Sequence, residues 1–321
     1  MPAKSKSQQR LFGMALAVRR GELKRTDVEK EVLDIVDSDM TDKDIEDFAS
    51  TKHKGLKEYI KESLLDDEDV LMKDTDEDTI KVVINKFIYQ TYGIFTDYKI
   101  RKKSKGGKLV LDSQCMLNVK DKNITSLTND LFVWGDVMGF DCSRCNSLTS
   151  LEGAPMKVYK WFDCSECRSL TSLKGAPEEI KGDFDCSQCE LLKSLEGAPK
   201  KLVGDFWCDL CDSLTSLKGV PKEISGSFSC QDCKSLTSLE GAPEKVGGEF
   251  LCRRCESLKS LKGVPKIING SFDCSGCKSL TSLDYFPKKI DGSLFIMNIG
   301  IKPLTYHQIK SLSDIRGEIN K

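Results

Sequence analysis

Histidine is nearly missing from this chain: His53 and His307 are the only two in 321 residues. No nucleophile–histidine–acid set can be assembled around them, and neither H-E-x-x-H nor a phosphate-binding glycine loop occurs. An excess of charge is missing as well. Lys and Arg total 49 against 50 Asp and Glu, so no global basic field draws nucleic acid. No apolar run approaches the roughly 20 residues that a membrane-spanning helix needs. The apolar patch within residues 1–20 is broken by polar side chains and ends in Arg19 and Arg20, unlike a signal peptide. These absences favour a non-enzymatic protein with no cofactor, acting away from membranes and nucleic acid in a reducing cytosol, where disulfides rarely persist.

Cysteine is what the chain has in quantity. Of its 15 cysteines, 14 fall in seven C-x-x-C pairs that begin at Cys142, Cys164, Cys186, Cys208, Cys230, Cys252 and Cys274, a step of 22 residues. A phenylalanine stands two residues before each first cysteine, from Phe140 to Phe272. Most units continue S-L-x-S-L-x-G-[AV]-P, as at residues 235–243, then a Val or Ile and usually a glycine. In F-x-C the alternation of a strand turns Phe and the first Cys inward and the residue between them outward. One coil cannot bury its apolar side alone, so neighbouring coils stack. The Gly-Ala-Pro or Gly-Val-Pro punctuation turns the chain back.

A fixed period of this length, with Phe184 and Cys186 at apolar strand positions and Cys189 at the N/C position, resembles the leucine-rich repeat. The resemblance covers about 180 residues and implies an α/β solenoid over 118–302. The S-L-x-S-L-x-G-x-P stretch also resembles the short repeats of bacterial effector proteins. Those owe their enzymatic activity to a separate domain, and nothing here resembles it. The array is expected to end irregularly. Residues 117–131 read as a degenerate unit one residue out of register. Ile296 and Ile299 replace the last cysteine pair, and residues 303–321 read as a capping helix.

Thiolates at C-x-x-C spacing chelate zinc or iron–sulfur clusters, which keeps a metal- or redox-active protein as an alternative. A structural ladder accounts for more. Every coil carries the pair, no histidine supplements it, and the N/C position already belongs to the repeat. On that reading the first Cys is a small buried hydrophobe and the second bonds the turn. Arg253 and Arg254 give one pair the electropositive setting a reactive thiolate needs.

The framework repeats closely, but the outward columns vary. The column between Phe and Cys runs Asp141, Asp163, Asp185, Trp207, Ser229, Leu251, Asp273. Trp161, Asp183 and Asp205 lie in the column before Phe, and Asp209, Gln231 and Arg253 in the column after the first Cys. Stacked strands line the concave, binding face of such solenoids, and exposed Trp and Arg are typical interface anchors. The expected protein-binding residues are therefore Trp161, Asp163, Asp185, Asp205, Trp207, Asp209, Leu251 and Arg253. The acidic columns argue against phosphates here.

Residues 1–65 read as a small helical module. Helical spacing runs over 6–20 and ends near Gly21, a second helix buries Val28, Val32, Ile35 and Val36, and a third passes through Ile45 and Phe48 after Thr41 as N-cap. Gln8, Gln9 and Arg10 beside Leu11, Phe12 and Met14 suit an amphipathic docking helix. K-S-K-S-Q-Q-R-L-F-G-M-A (4–15) and D-F-A-S-T-K-H-K-G-L (47–56) resemble a short module encoded by tailed bacteriophages, a family without an established activity. That resemblance implies a phage-encoded protein working in the host cytoplasm or carried in the virion. Residues 66–117 read as an acidic link followed by an α/β capping segment: a helix over 76–92, then strands over 94–100 and 109–115 joined by a basic loop. The acids at 74, 76 and 78 lack the Gly and Glu an EF-hand needs at 79 and 85. The partner is thus expected to be a virion or host protein. An effector acting on a host protein is a further alternative, and the oligomeric state is not legible.

Overall fold

The computed structural model describes residues 14–22, 24–25, 36, 84–85, 88, 96, 98–103, 109–128 and 132–321. The chain divides into two compact units, Met1–Phe87 and Ile88–Lys321.

In the first unit, residues 14–19 are helical, with Ala15, Leu16 and Val18 buried. The helix stops at Gly21, whose φ of 74° only glycine adopts without strain and whose N–H donates to Val18 C=O at 3.1 Å. This is a left-handed C-terminal cap. Arg19 Nε donates to Val36 C=O at 2.9 Å. Ile84, from the helix read over 76–92, is helical and buried. The helices through Val28 and Phe48 and the acidic link at 66–78 lie outside the described residues, except Val36, which is helical.

The second unit opens with strands β1 (Lys99–Lys103) and β2 (Leu109–Asn118), paired antiparallel. β2 then runs parallel to β3 (Phe132–Asp141), setting Leu117 against Phe140, a step of 23 residues. From Phe140 to Leu294 the step along this ladder is 22, as Phe140 to Phe162 and Phe272 to Leu294 show, and the last step, Leu294 to Ile319, is 25. The opening unit is thus one residue out of step, as its sequence indicates.

Each coil after β3 contributes two strands of two residues. The first ladder stacks Lys157–Val158, Glu179–Ile180, Lys201–Leu202 and their successors. The second stacks Phe162–Asp163, Phe184–Asp185, Phe206–Trp207 and theirs. β3 serves both without a break, through Val137 to Val158 and Phe140 to Phe162. The result is a parallel β-solenoid of about ten turns with few helices.

The α/β architecture expected from the repeat pattern would need helical return segments. In the coil from Cys189 to Ala198 the inward residues Cys189, Leu192 and Leu195 recur every third position, all fully buried. Their backbone bonds are of the i to i+3 kind: Leu192 N–H to Cys189 C=O at 3.0 Å and Ala198 N–H to Leu195 C=O at 3.0 Å. A three-residue spacing closed by such turns leaves no room for the i to i+4 bonds of an α-helix. The turn at Leu195–Ala198 needs positive φ at its third residue, and Gly197 has φ 94°. A Cβ there would also lie 2.6 Å from Lys174 N of the previous coil. In the last cysteine coil Tyr285 takes this position at φ 68°.

The core is a stack of phenylalanines from Phe140 to Phe272, with successive ring centroids 5.1–6.0 Å apart. Each is essentially fully buried and stabilises the coil by about 1.5–3 kcal/mol. At the C-terminal end, helix α1 (Tyr306–Leu312) starts with a capping box between Thr305 and Gln308. The chain then returns to sheet: Asp314–Ile315 extends the first ladder and Ile319–Asn320 the second. The stretch read as a capping helix is a short helix followed by a last pair of strands. Among the described residues no helix is long and apolar enough to cross a membrane.

Candidate interaction surface

The cysteine pairs bind coil to coil. Each C-x-x-C makes the turn that leaves the second ladder, with positive φ of 55–59° at its third residue from Arg144 through Arg254. The second thiol donates back to the carbonyl of the first cysteine one coil earlier: Cys189 Sγ to Cys164 C=O at 3.3 Å, Cys211 to Cys186 at 3.3 Å and Cys233 to Cys208 at 3.2 Å. Several first thiols donate forward, as Cys186 to Trp207 C=O at 3.4 Å and Cys208 to Ser229 C=O at 3.2 Å. All 14 are buried, and only Cys115 is exposed.

Burial pushes the first thiols Cys142, Cys164, Cys186, Cys208 and Cys274 well above their usual range, and Cys145 and Cys211 to about 12. The thiolate that metal binding and nucleophilic attack require is thereby disfavoured. The electropositive setting near Arg254 is taken up elsewhere: both its Nε and Nη2 donate to Asp232, each at 2.7 Å. Cys252 is held well above the usual thiol range by its hydrogen bond with Cys277 and by burial. Among the described residues no group of three or more His, Cys, Asp or Glu is placed to hold a metal.

The two ladders present different outer rows. On the first, charges alternate as Lys157, Glu179, Lys201, Glu223, Lys245, and two pairs close across coils. Lys157 meets Glu179 at 2.9 Å and Lys245 meets Glu223 at 2.6 Å. One residue earlier, Lys200 meets Glu178 at 2.8 Å and Lys222 meets Glu244 at 2.9 Å. On the second, Asp163, Asp185, Trp207, Ser229, Leu251, Asp273 and Phe295 stack at successive coils.

The structure therefore brings the expected partner-binding residues onto one face in three adjacent rows. Asp163, Asp185, Trp207 and Leu251 share the central row. Trp161 and Asp205 occupy the row before it, Asp209 and Arg253 the row after. The half-buried Trp161 ring lies over Gly139, where an added Cβ would sit 3.5 Å from Trp161 Cε2 and 3.2 Å from Met116 Cγ. Trp207 and Leu251 are half-buried and Arg253 is exposed.

The acids also have local duties that sequence reasoning missed. Asp163 accepts Ser165 N–H and Asp185 accepts Ser187 N–H, both at 2.8 Å, capping the turn two residues on. Asp205 accepts Ser227 N–H from the next coil at 2.6 Å. Asp209 accepts Gln231 N–H at 2.7 Å and the Ser229 hydroxyl at 2.5 Å. Burial raises Asp185 and Asp209 above the usual carboxylate range. Phe295 in the central row was missed too, although counting 22 residues on from Asp273 would have found it.

Of the docking-helix residues, Gln8, Gln9, Arg10, Leu11 and Phe12 lie outside the described residues. Met14 opens the helical segment and is half-buried.

Compared with known proteins, residues 3–59 match a family described as a protein of unknown function (DUF3008). Both N-terminal motifs fall within that span, and the solenoid lies wholly outside it. No curated protein and no solved structure matches the chain.

Proposed function

We propose that this is a non-enzymatic binding protein whose solenoid presents the outer row of its second ladder to a protein partner. The observation that carries the reading is the contrast between a nearly invariant inner wall and a variable outer row that sets Trp207 and Leu251 two coils apart on rigid backbone. Half-buried aromatic and aliphatic side chains held on a sheet lose little freedom on docking, and Trp and Arg are enriched among residues that dominate interfaces.

The repeat belongs, on this reading, with the leucine-rich repeats. Its second cysteine stands at the N/C position, and Leu192 and Leu195 fill the segment opposite the strand. The chain is phage-encoded, works in the host cytoplasm and is held in the virion by two contacts, its docking N-terminal module and the second-ladder face packed on a virion protein. The resemblance of residues 4–15 and 47–56 to a phage module supports that setting.

The test is quantitative mass spectrometry of gradient-purified particles carrying either the natural chain or a Trp207→Ala, Arg253→Ala variant. The expected result is a fixed copy number for the natural chain and a loss of several-fold for the variant. Equal incorporation would remove the second-ladder face from the account, and absence of both from particles would remove the virion.

A further inference from the structure

We infer that the central outer row is built to take a polyproline II segment carrying a basic residue, a proline and a second basic residue at intervals of three. The inference rests on the proposed protein-binding role and names the partner's chemistry.

Along the row, large and small side chains alternate coil by coil: Asp185, Trp207, Ser229, Leu251, Asp273, Phe295. Trp207, Leu251 and Phe295 are half-buried and stand as walls, while Ser229 between the first two is only 1% exposed. The Ser229 hydroxyl donates to Asp209 at 2.5 Å and accepts from Gln231 Nε2 at 3.1 Å. The floor of that notch therefore has its hydrogen bonds made and favours an apolar occupant. Asp273 floors a second notch between Leu251 and Phe295, and Asp185 lies on the far side of Trp207 with Asp163 beyond it.

The spacing selects the conformation of the occupant. Adjacent strands lie about 4.7–4.9 Å apart, so notches two coils apart repeat every ~9.4–9.8 Å. A polyproline II helix rises ~3.1 Å per residue with three residues per turn and returns the same face every ~9.3 Å. A β-strand returns its face every ~6.4–6.8 Å, and an α-helix after seven residues, at ~10.5 Å. Only the polyproline II segment keeps step with Asp185, Ser229 and Asp273. A proline seats over Ser229 between Trp207 and Leu251, and residues three before and three after reach Asp185 and Asp273.

Charge agrees with this placement. Asp163 and Asp209 flank Asp185 in neighbouring coils, favouring a cation there. The long stem of Arg or Lys packs against the Trp207 ring, where an aromatic face also attracts a cation. Polyproline II backbone makes no internal hydrogen bonds, and the exposed Arg253, in the row beside Leu251, is a donor for its carbonyls.

The test uses the full chain and two fluorescein-labelled proline-rich peptides of equal composition, one with Arg-x-x-Pro-x-x-Arg spacing and one with Arg-x-Pro-x-Arg spacing. Fluorescence anisotropy at low salt should show the interval-three peptide binding at least tenfold tighter. Trp207→Ala should weaken it at least tenfold and Trp207→Phe restore most of the loss, with circular dichroism unchanged in both. Asp185→Asn should weaken binding and flatten its salt dependence. Equal binding of the two peptides, or insensitivity to Trp207→Ala, would overturn the inference. A further measurement separates this from the binding role itself. If neither peptide binds but a photo-crosslinker in place of Leu251 still traps a partner in cells, the polyproline II ligand is rejected and the surface stands. If neither signal is seen, both fall.

Discussion

The two ladders of this solenoid share one chain, one period and one kind of inner wall, yet their outer rows are spent differently. The first ladder alternates charge and pairs it across coils: Lys157 closes on Glu179 and Lys245 on Glu223, with the exposed Lys201 standing between two glutamates. The second uses its carboxylates to cap its own backbone turns and leaves Trp207, Leu251 and Phe295 half-exposed at every other coil. In a repeat protein each coil is under the same packing demand. A row that departs from self-pairing therefore marks where something other than packing set the residues.

The largest expected effect separates the two sides of the second ladder. Phe206→Ala should cost about 3–5 kcal/mol, because its ring is fully buried between Phe184 and Phe228. Trp207→Ala, one residue on, should cost less than about 1 kcal/mol in the same urea titration. Its loss should appear in binding instead.

Next in size is the response to alkali. Cys145 and Cys211 are pushed up to about 12 in the folded chain, against about 8.5 in an unfolded one. Below the unfolded value both states hold the proton and the thiol's full contribution is present. Between the two values only the unfolded state ionises, so stability falls as pH rises. Thermal melts in reducing buffer should show Tm dropping progressively from about pH 9 towards 12. Thiol counting should agree: one cysteine, Cys115, reacts in the native chain and all 15 in denaturant.

Tyr285→Gly should stabilise the last cysteine coil by about 1 kcal/mol, since a non-glycine residue at positive φ costs about 1–2 kcal/mol and Tyr285 sits at φ 68°. The smallest effect belongs to the first ladder. Lys201→Glu would stack three glutamates, at positions 179, 201 and 223, and should lower Tm slightly at low salt. The difference should vanish near 1 M salt, where screening acts within ~3 Å, and partner binding should not change.

Much of this architecture is legible in the residues. The period, the inward Phe and Cys, the glycine turns and the out-of-step first unit all follow from counting and alternation. The strands of the first ladder are not, because two residues such as Glu179 and Ile180 are too short a run to show a period. The left-handed third position of each C-x-x-C is hidden because Arg144, Gln188 and Leu210 share no chemistry that would mark it. The dual use of Asp163 and Asp185 is hidden for another reason: turn capping and partner contact favour the same residue type. Phe295 is hidden because the cysteine pairs that mark the row end at Cys277.

The most direct test of the account compares two outward apolar positions in consecutive coils, one on each ladder. Leu251 is on the second, and Ile267, 52% exposed, is on the first. p-Benzoylphenylalanine in place of each, with irradiation of the cells that express the chain, reports which face meets a partner. The account predicts a discrete higher-mass adduct from position 251 and none from 267. An adduct from 267 alone, or equal adducts from both, would contradict it.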